Sequence, residues 1–273
     1  MILILLTSHR TDCFSLCLDC LERSTDLRRF THIFVIANAP AQEHADIAGA
    51  FVKRHANAVL VNAEPRGLKA VMYAQEIILK EHGELVVKLD EDVFVTPGWL
   101  DGLLDAYGRN KALGCFLVSA LVPNNGVGRV LLGPVLSGIF PEYTASDRLR
   151  AGPISQNAAY GIWIWQKFLS GQLSYTRPGV LKKMSPRRIE RMLSINCILF
   201  DARMTAAILP FNGEMDEHHV NLALERGGQT LFGLVTPYSL AHHYSFGGQQ
   251  QAIDAHVSLH AIREKLLGPD LRS

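Results

Sequence analysis

Short apolar runs alternating with amphipathic stretches organise this chain. Residues 2–6, 32–37, 58–61 and the run starting near Leu85 are rich in β-formers and bounded by polar or turn residues, so they read as strands. Between them, residues 11–24 carry apolar side chains at Phe14, Cys17, Leu18 and Leu21, the spacing of one helix face. Residues 42–55, 68–81 and 99–109 read as further helices, the last one opening just after Pro97-Gly98. Residues 114–122 form another apolar strand, closed by the turn Pro123-Asn124-Asn125-Gly126. Regularity fades over roughly 127–192, apart from a helix around Trp163 and Trp165. It returns as a strand at 194–200, helices at 201–208 and 220–226, and a strand at 229–235.

Strands alternating with helices of this length predict an α/β fold with a mostly parallel central sheet covered on both faces. In such sheets ligands bind beyond the carboxyl ends of the strands. Thr7–Arg10, Asn38 and Asp90–Asp92 all fall at such ends.

The 273 residues carry 48% hydrophobic and 19% charged side chains with a net charge of +1. That balance excludes a disordered chain and a strongly basic nucleic-acid binder. The apolar start, residues 1–6, is too short for a signal-peptide core or a membrane span and reads as the first strand. Cys13, Cys17 and Cys20 recur at helical spacing and read as small apolar residues on a buried face. Five cysteines without a paired CxxC fit free thiols in a reducing cytosol.

The most informative stretch is Leu85-Val86-Val87-Lys88-Leu89-Asp90-Glu91-Asp92. Asp90 and Asp92 are two apart on an extended segment and share a face, so they can converge on one cation. Three acids ending a buried strand are costly unless something cationic sits beside them.

In order and spacing, these landmarks resemble the GT-A glycosyltransferases, and within them glycosyltransferase family 2. The resemblance rests on Thr7-Ser8-His9-Arg10 after the first strand, Arg66-Gly67-Leu68-Lys69-Ala70 opening the third helix, and Leu89-Asp90-Glu91-Asp92 as a DxD motif. Late in the chain, residues 212–224 and His242-His243-Tyr244-Ser245 complete it. It spans residues 1–248, with a nucleotide-sugar half at 1–122 and an acceptor and catalytic half at 123–248; residues 249–273 follow as a helical tail.

The resemblance implies a metal-dependent, inverting transfer of sugar from a nucleotide-diphosphate donor to a saccharide or lipid-linked acceptor, of the kind used in surface polysaccharide synthesis. A divalent ion, Mn²⁺ or Mg²⁺, would stabilise the departing diphosphate. Asp92 is expected to ligate the metal, with a strand-end histidine beside it. Alternation along residues 240–244 favours His242 over His243. Asp90 is expected at the donor ribose or a metal-bound water. Thr7, His9, Arg10, Asn38, Arg66, Lys69 and Glu91 complete the expected nucleotide-sugar contacts. Glu217 is the expected catalytic base, with Asp216 next, although both lie upstream of the register in which the family carries its Glu-Asp pair. Ala37 stands where family members often carry an Asp for the nucleotide base, which leaves the base identity open.

The basic run Arg177, Lys182, Lys183, Arg187, Arg188 and Arg191 suits either a solvated face or an anionic acceptor with peripheral contact at the inner membrane surface. Tyr160, Trp163 and Trp165 suit either the core or an acceptor groove. A haloacid-dehalogenase-type phosphatase also uses an Asp-x-Asp pair, but on its first strand, and here 89 residues precede it. A nucleotidyltransferase would carry a Gly-rich signature after the first strand. A catalytically silent sugar- or nucleotide-binding protein of the same fold is the remaining alternative.

Overall fold

The computed structural model describes residues 1–173, 184–191 and 193–268. Among them, nine strands build the sheet: β1 (Ile2–Thr7), β2 (His32–Ala37), β3 (Ala58–Asn62), β4 (Leu85–Asp90), β5 (Val93–Val95), β6 (Cys115–Leu121), β7 (Arg187–Ile189), β8 (Cys197–Asp201) and β9 (Phe232–His243). Their order is β3-β2-β1-β4-β8-β6-β9-β5, with β7 pairing β9. β1 is parallel to β2 and β4, β2 to β3, and β6 to β9. β8 lies antiparallel between β4 and β6. The sheet is therefore mostly parallel, as the helix–strand alternation predicts.

Side-chain alternation divides the core into two layers. Leu3, Leu5, Val35, Val87 and Leu89 face helix Thr11–Ser24, whose Cys13, Cys17 and Cys20 are buried with them. Ile2, Ile4, Phe34, Ile36 and Val86 face the other way, toward helices Leu68–His82 and Asp216–Gly227. Lys88 and Asp90 follow Val86 at period two, so β4 turns both toward this second layer. The tail joins the first layer: Ile253, Val257 and Ile262 are buried in it, and Arg263 pairs with Asp19.

Three elements differ from the sequence reading. Residues 126–139 form a helix that four glycines and Pro134 disguise; Asn125 caps it by accepting a bond from the Gly128 N–H at 2.7 Å. The late acidic helix starts at Asp216, four residues before Val220, so Asp216 and Glu217 occupy its first turn. The last strand runs on to His243, because its register against β6 slips after Thr236 and its end pairs with β5 instead. Arg177, Lys182 and Lys183 lie outside the described residues.

Helix Trp99–Asn110 approaches β9 closely at Gly102, where an added β-carbon would sit 2.3 Å from the Tyr238 carbonyl oxygen; at Gly108 of the same helix nothing lies within 4 Å. Gly102→Ala is expected to destabilise the fold by roughly 1–3 kcal/mol. Gly108→Ala should instead stabilise it by up to about 1 kcal/mol. Urea midpoints of the two variants check this contrast.

Candidate active site

Three consecutive acids leave β4 in different directions. Glu91 turns inward and is 7% exposed. Its carboxylate accepts from the Thr7 hydroxyl (2.7 Å) and the Ser8 N–H (2.8 Å), and from the Ser8 hydroxyl at 3.0 Å and the His9 N–H at 3.2 Å. Buried His44, stacked on Phe14 at 4.7 Å, bonds Thr7 and lies 3.5 Å from Glu91. Burial lowers the His44 pKa against the pull of Glu91. Glu91 and Thr7, expected at the nucleotide, thus meet each other inside the protein and pin the loop after β1. His9 stays exposed at the loop tip.

Arg10 is also engaged by the protein. Its guanidinium pairs with Asp12 at 2.9 Å and Asp254 at 3.3 Å, and lies 5.0 Å from the Tyr244 ring centroid. Burial opposes its charge, but these carboxylates outweigh it and raise the pKa.

Lys88 is the centre of the next cluster. Its ammonium is buried and lies 2.7 Å from Asp90 Oδ1 and 3.4 Å from Asp216 Oδ2. Burial alone would lower its pKa; Asp216 and Asp90 outweigh that and raise it. Asp90 also accepts from the Asn196 amide at 3.2 Å. Burial raises the Asp90 pKa, partly offset by Lys88. One strand and the first turn of helix Asp216–Gly227 are therefore joined through a single cation. The cation that the acidic run calls for is, at Asp90, a residue of the same strand.

Asp92 lies beyond the turn. β5 pairs antiparallel with the end of β9 so that Val93 faces His243, and the Tyr244 N–H donates to the Asp92 carbonyl at 2.8 Å. This sets His243 Nε2 3.3 Å from Asp92 Oδ2, with the Asp92 side chain 23% exposed. Burial opposes protonation of His243, but Asp92, Asp90 and Glu217 outweigh it and raise its pKa. His243 Nδ1 is buried with no hydrogen-bond partner among the described residues.

His242, expected at the metal, is not the histidine that lies beside Asp92. His242 packs between Phe168 (4.3 Å) and Trp165 (5.4 Å), and burial lowers its pKa to about 3. Both histidines are buried, and the pairing of β5 with the end of β9 puts His243 beside Asp92.

Glu217 sits half-buried on the first turn of its helix and lines a cleft of about 900 Å³. Burial raises its pKa, against Lys88 and His243 and with Asp90 and Asp216. Asp216 Oδ1 accepts the Glu217 N–H at 2.9 Å. Asn38 accepts from the Gly67 N–H at 2.8 Å and so ties β2 to the start of helix Leu68–His82. Arg66 and Lys69 are exposed there, and the Lys69 stem runs alongside Gly213. Tyr160 and Trp165 are core residues whose polar atoms bond the Pro123 and Tyr244 carbonyls. Trp163 is half-buried against Tyr143 and Phe140.

The sequence-predicted residues brought together are thus Asp90, Asp92, Asp216 and Glu217. Lys88 and Asn196 join them without having been singled out, and so does His243, the histidine passed over in favour of His242. Lys88 had a visible signal, being the one charge inside an apolar strand, two residues from Asp90.

The chain has the GT-A fold, with its acidic cluster at the strand ends. Among solved structures, it superposes on a crystal structure of GalNAc-T7 with UDP, GalNAc and Mn²⁺ at a TM-score of 0.55 and 12% identity, covering 90% of this chain and 44% of the other. It superposes on a crystal structure of S. aureus TarS at 0.54 and 12% identity, covering 97% and 42%. This chain therefore spans less than half the length of either. No protein-family model matches the sequence, and no curated protein matches it.

Lys88→Met should leave two carboxylates without their cation and destabilise the protein by roughly 3–5 kcal/mol. Adding Asp90→Asn and Asp216→Asn should recover most of that loss, as read from urea midpoints of the single and triple variants.

Proposed function

We propose that this chain is a metal-dependent, inverting glycosyltransferase that moves a sugar from a nucleotide-diphosphate donor to a saccharide or lipid-linked acceptor. The observation that carries this reading is the meeting of a partly open Asp92–His243 pair with a carboxylate, Glu217, that faces a separate cleft. Fold likeness to the GalNAc-T7 structure, which holds UDP and Mn²⁺, supports the nucleotide and the metal. Surface polysaccharide synthesis, at the cytoplasmic face of a membrane, is the setting that suits such a reaction. Five free, buried cysteines support a reducing compartment, and no helix among the described residues is long and apolar enough to cross a membrane.

The residues fit a hard divalent ion. Two cis ligands about 2.1 Å from an octahedral ion lie roughly 3.0 Å apart, close to the 3.3 Å between Asp92 Oδ2 and His243 Nε2. Among the described residues no three His, Cys, Asp or Glu side chains form a cage, so diphosphate oxygens and water would fill the other positions. Bound there, Mn²⁺ or Mg²⁺ would offset the charge gathering on the departing diphosphate.

Glu217 is the base. Burial gives its carboxylate a stronger hold on a proton than an ordinary glutamate has, which suits removal of an acceptor hydroxyl proton. The acceptor oxygen bonds to the anomeric carbon as the bond to the diphosphate breaks, and the proton passes to Glu217. Asp216 is held by Lys88 and positions the helix. Arg66, Lys69 and His9, which are exposed, are the remaining donor contacts.

In a donor screen with Mn²⁺, reading release of free nucleotide diphosphate, Asp92→Ala should abolish metal-dependent turnover. Glu217→Gln should lower kcat by about 10²–10⁴-fold while UDP binding persists. UDP binding without turnover in the wild type would leave a silent binder instead. The acid limb of kcat/KM should lie above the ordinary glutamate value of about 4.3 and vanish in Glu217→Gln.

A further inference from the structure

Strand β3 stands at one end of the sheet order, and among the described residues β2 is its one strand partner. The Asn57 carbonyl accepts from the Ile33 N–H and the Ala63 N–H donates to the Ala37 carbonyl, both at 2.8 Å. Backbone direction alternates along a strand, so Val59 and Val61 also turn their backbone groups to β2, whereas Ala58, Leu60 and Asn62 turn theirs outward. Open edges are commonly guarded by lysine, proline or a bulge. The strand Ala58-Val59-Leu60-Val61-Asn62 carries no charge, no proline and no break in register, and Val59 is 42% exposed.

Helix Gln42–Arg54 packs beside this edge. Asp46, Gly49, Ala50 and Lys53 follow one another at i, i+3, i+4 and i+7 and share a face. Asp46, Ala50 and Lys53 are exposed, and a β-carbon at Gly49 would meet nothing within 4 Å. Neither Asp46 nor Lys53 forms an ion pair among the described residues; Asp46 accepts from the Gln42 amide at 2.7 Å. Arg54, the next cation, is held by Glu22 at 2.8 Å. The face is thus acidic toward its start, basic toward its end and shallow between.

Such a face is complementary to a copy of itself turned end for end. A two-fold axis at Leu60 would exchange N–H···O bonds between the two Leu60 residues and bring each Asn62 N–H to the Ala58 carbonyl of the other copy. The same axis sets Val59 against Val61 of the other copy, a β-branched cross-strand pair. The Ala58 N–H donates to the His55 carbonyl at 2.9 Å, which keeps the helix end level with the strand start. Two strand residues rise about 6.6 Å, the height of about four helical residues, so this axis passes the helix near residue 51. Asp46 of each copy faces Lys53 of the other when the axis passes between Gly49 and Ala50. Strand and helix therefore call for nearly the same axis.

We propose that this edge is the docking surface for a second copy of this chain, with β3 pairing antiparallel to itself about Leu60 and Asp46 of each copy meeting Lys53 of the other. Both copies use the same patch, so the contact closes at a dimer and leaves neither β3 edge open. It stands apart from the transferase reading, since none of these residues lines the cleft in front of Glu217.

The test is sedimentation equilibrium of the full chain at low ionic strength, up to about 100 µM, where a dimer of micromolar affinity is mostly assembled. Asp46→Lys alone and Lys53→Asp alone should each weaken the dimer about tenfold, because both pairs across the axis become like-charged. An equal mixture of the two variants should recover the wild-type affinity, since every pair in the mixed dimer is again of opposite sign. A folding defect could not be rescued in this way. Val59→Lys, at an exposed position, should weaken association by a similar factor, with a melting curve matching the wild type.

A wild type that stays monomeric throughout the series overturns the proposal and leaves the edge to another occupant. A dimer of unchanged affinity in all three variants does so too, by placing the contact on another face. Weakened single variants whose mixture stays equally weak sink the antiparallel arrangement about Leu60.

Discussion

A buried lysine between two carboxylates is the constraint on which the site depends. Lys88 bridges Asp90 on its own strand and Asp216 on the late helix. Four carboxylates, Asp90, Asp92, Asp216 and Glu217, gather at this end of the sheet, and their mutual repulsion in a partly dry setting would drive the helix off. The ammonium converts that repulsion into a link and fixes the first turn of the helix against β4. It also divides the two late acids: Asp216 spends its charge on Lys88, and Glu217, one residue on, turns toward the cleft.

The same economy governs the acidic run. Alternation sends Asp90 and Glu91 to opposite sides, and each meets a different partner. Glu91 gathers the Thr7 and Ser8 hydroxyls and the N–H groups after β1, so the loop that could have cradled a phosphate is filled by an internal carboxylate. That leaves Asp92, where β5 begins, as the acid of the run that pairs with His243.

The fold was largely legible in the sequence because its strands and helices are short and strongly periodic. Residues 126–139 escaped because Gly126, Gly128, Gly133, Pro134 and Gly138 lower intrinsic helix propensity, and packing of Leu132 and Leu136 overrides it. The late helix start was placed at residue 220, four residues late, because the helix opens with Asp216 and no capping side chain marks it. Asp90, Asp92, Asp216 and Glu217 could be named from residue type and order. His243 could not, since choosing it over His242 needs the register between β5 and β9, a contact across 150 residues of chain. The Glu91 role was hidden for a similar reason: its partners lie 81 to 84 positions away.

The cleft and the acidic cluster also constrain each other. Among the described residues, two protein groups, Asp92 and His243, converge where a divalent ion would fit, and two ligands hold a hard cation weakly in water. An ion at that point would therefore gain most of its coordination from the diphosphate it accompanies, which ties metal and donor occupancy together. One wall of the cleft carries arginines, whose charge does not vary with pH in the working range. An anion held at that wall would bind less tightly as salt rises, because Arg187 and Arg191 stand exposed where salt screens them.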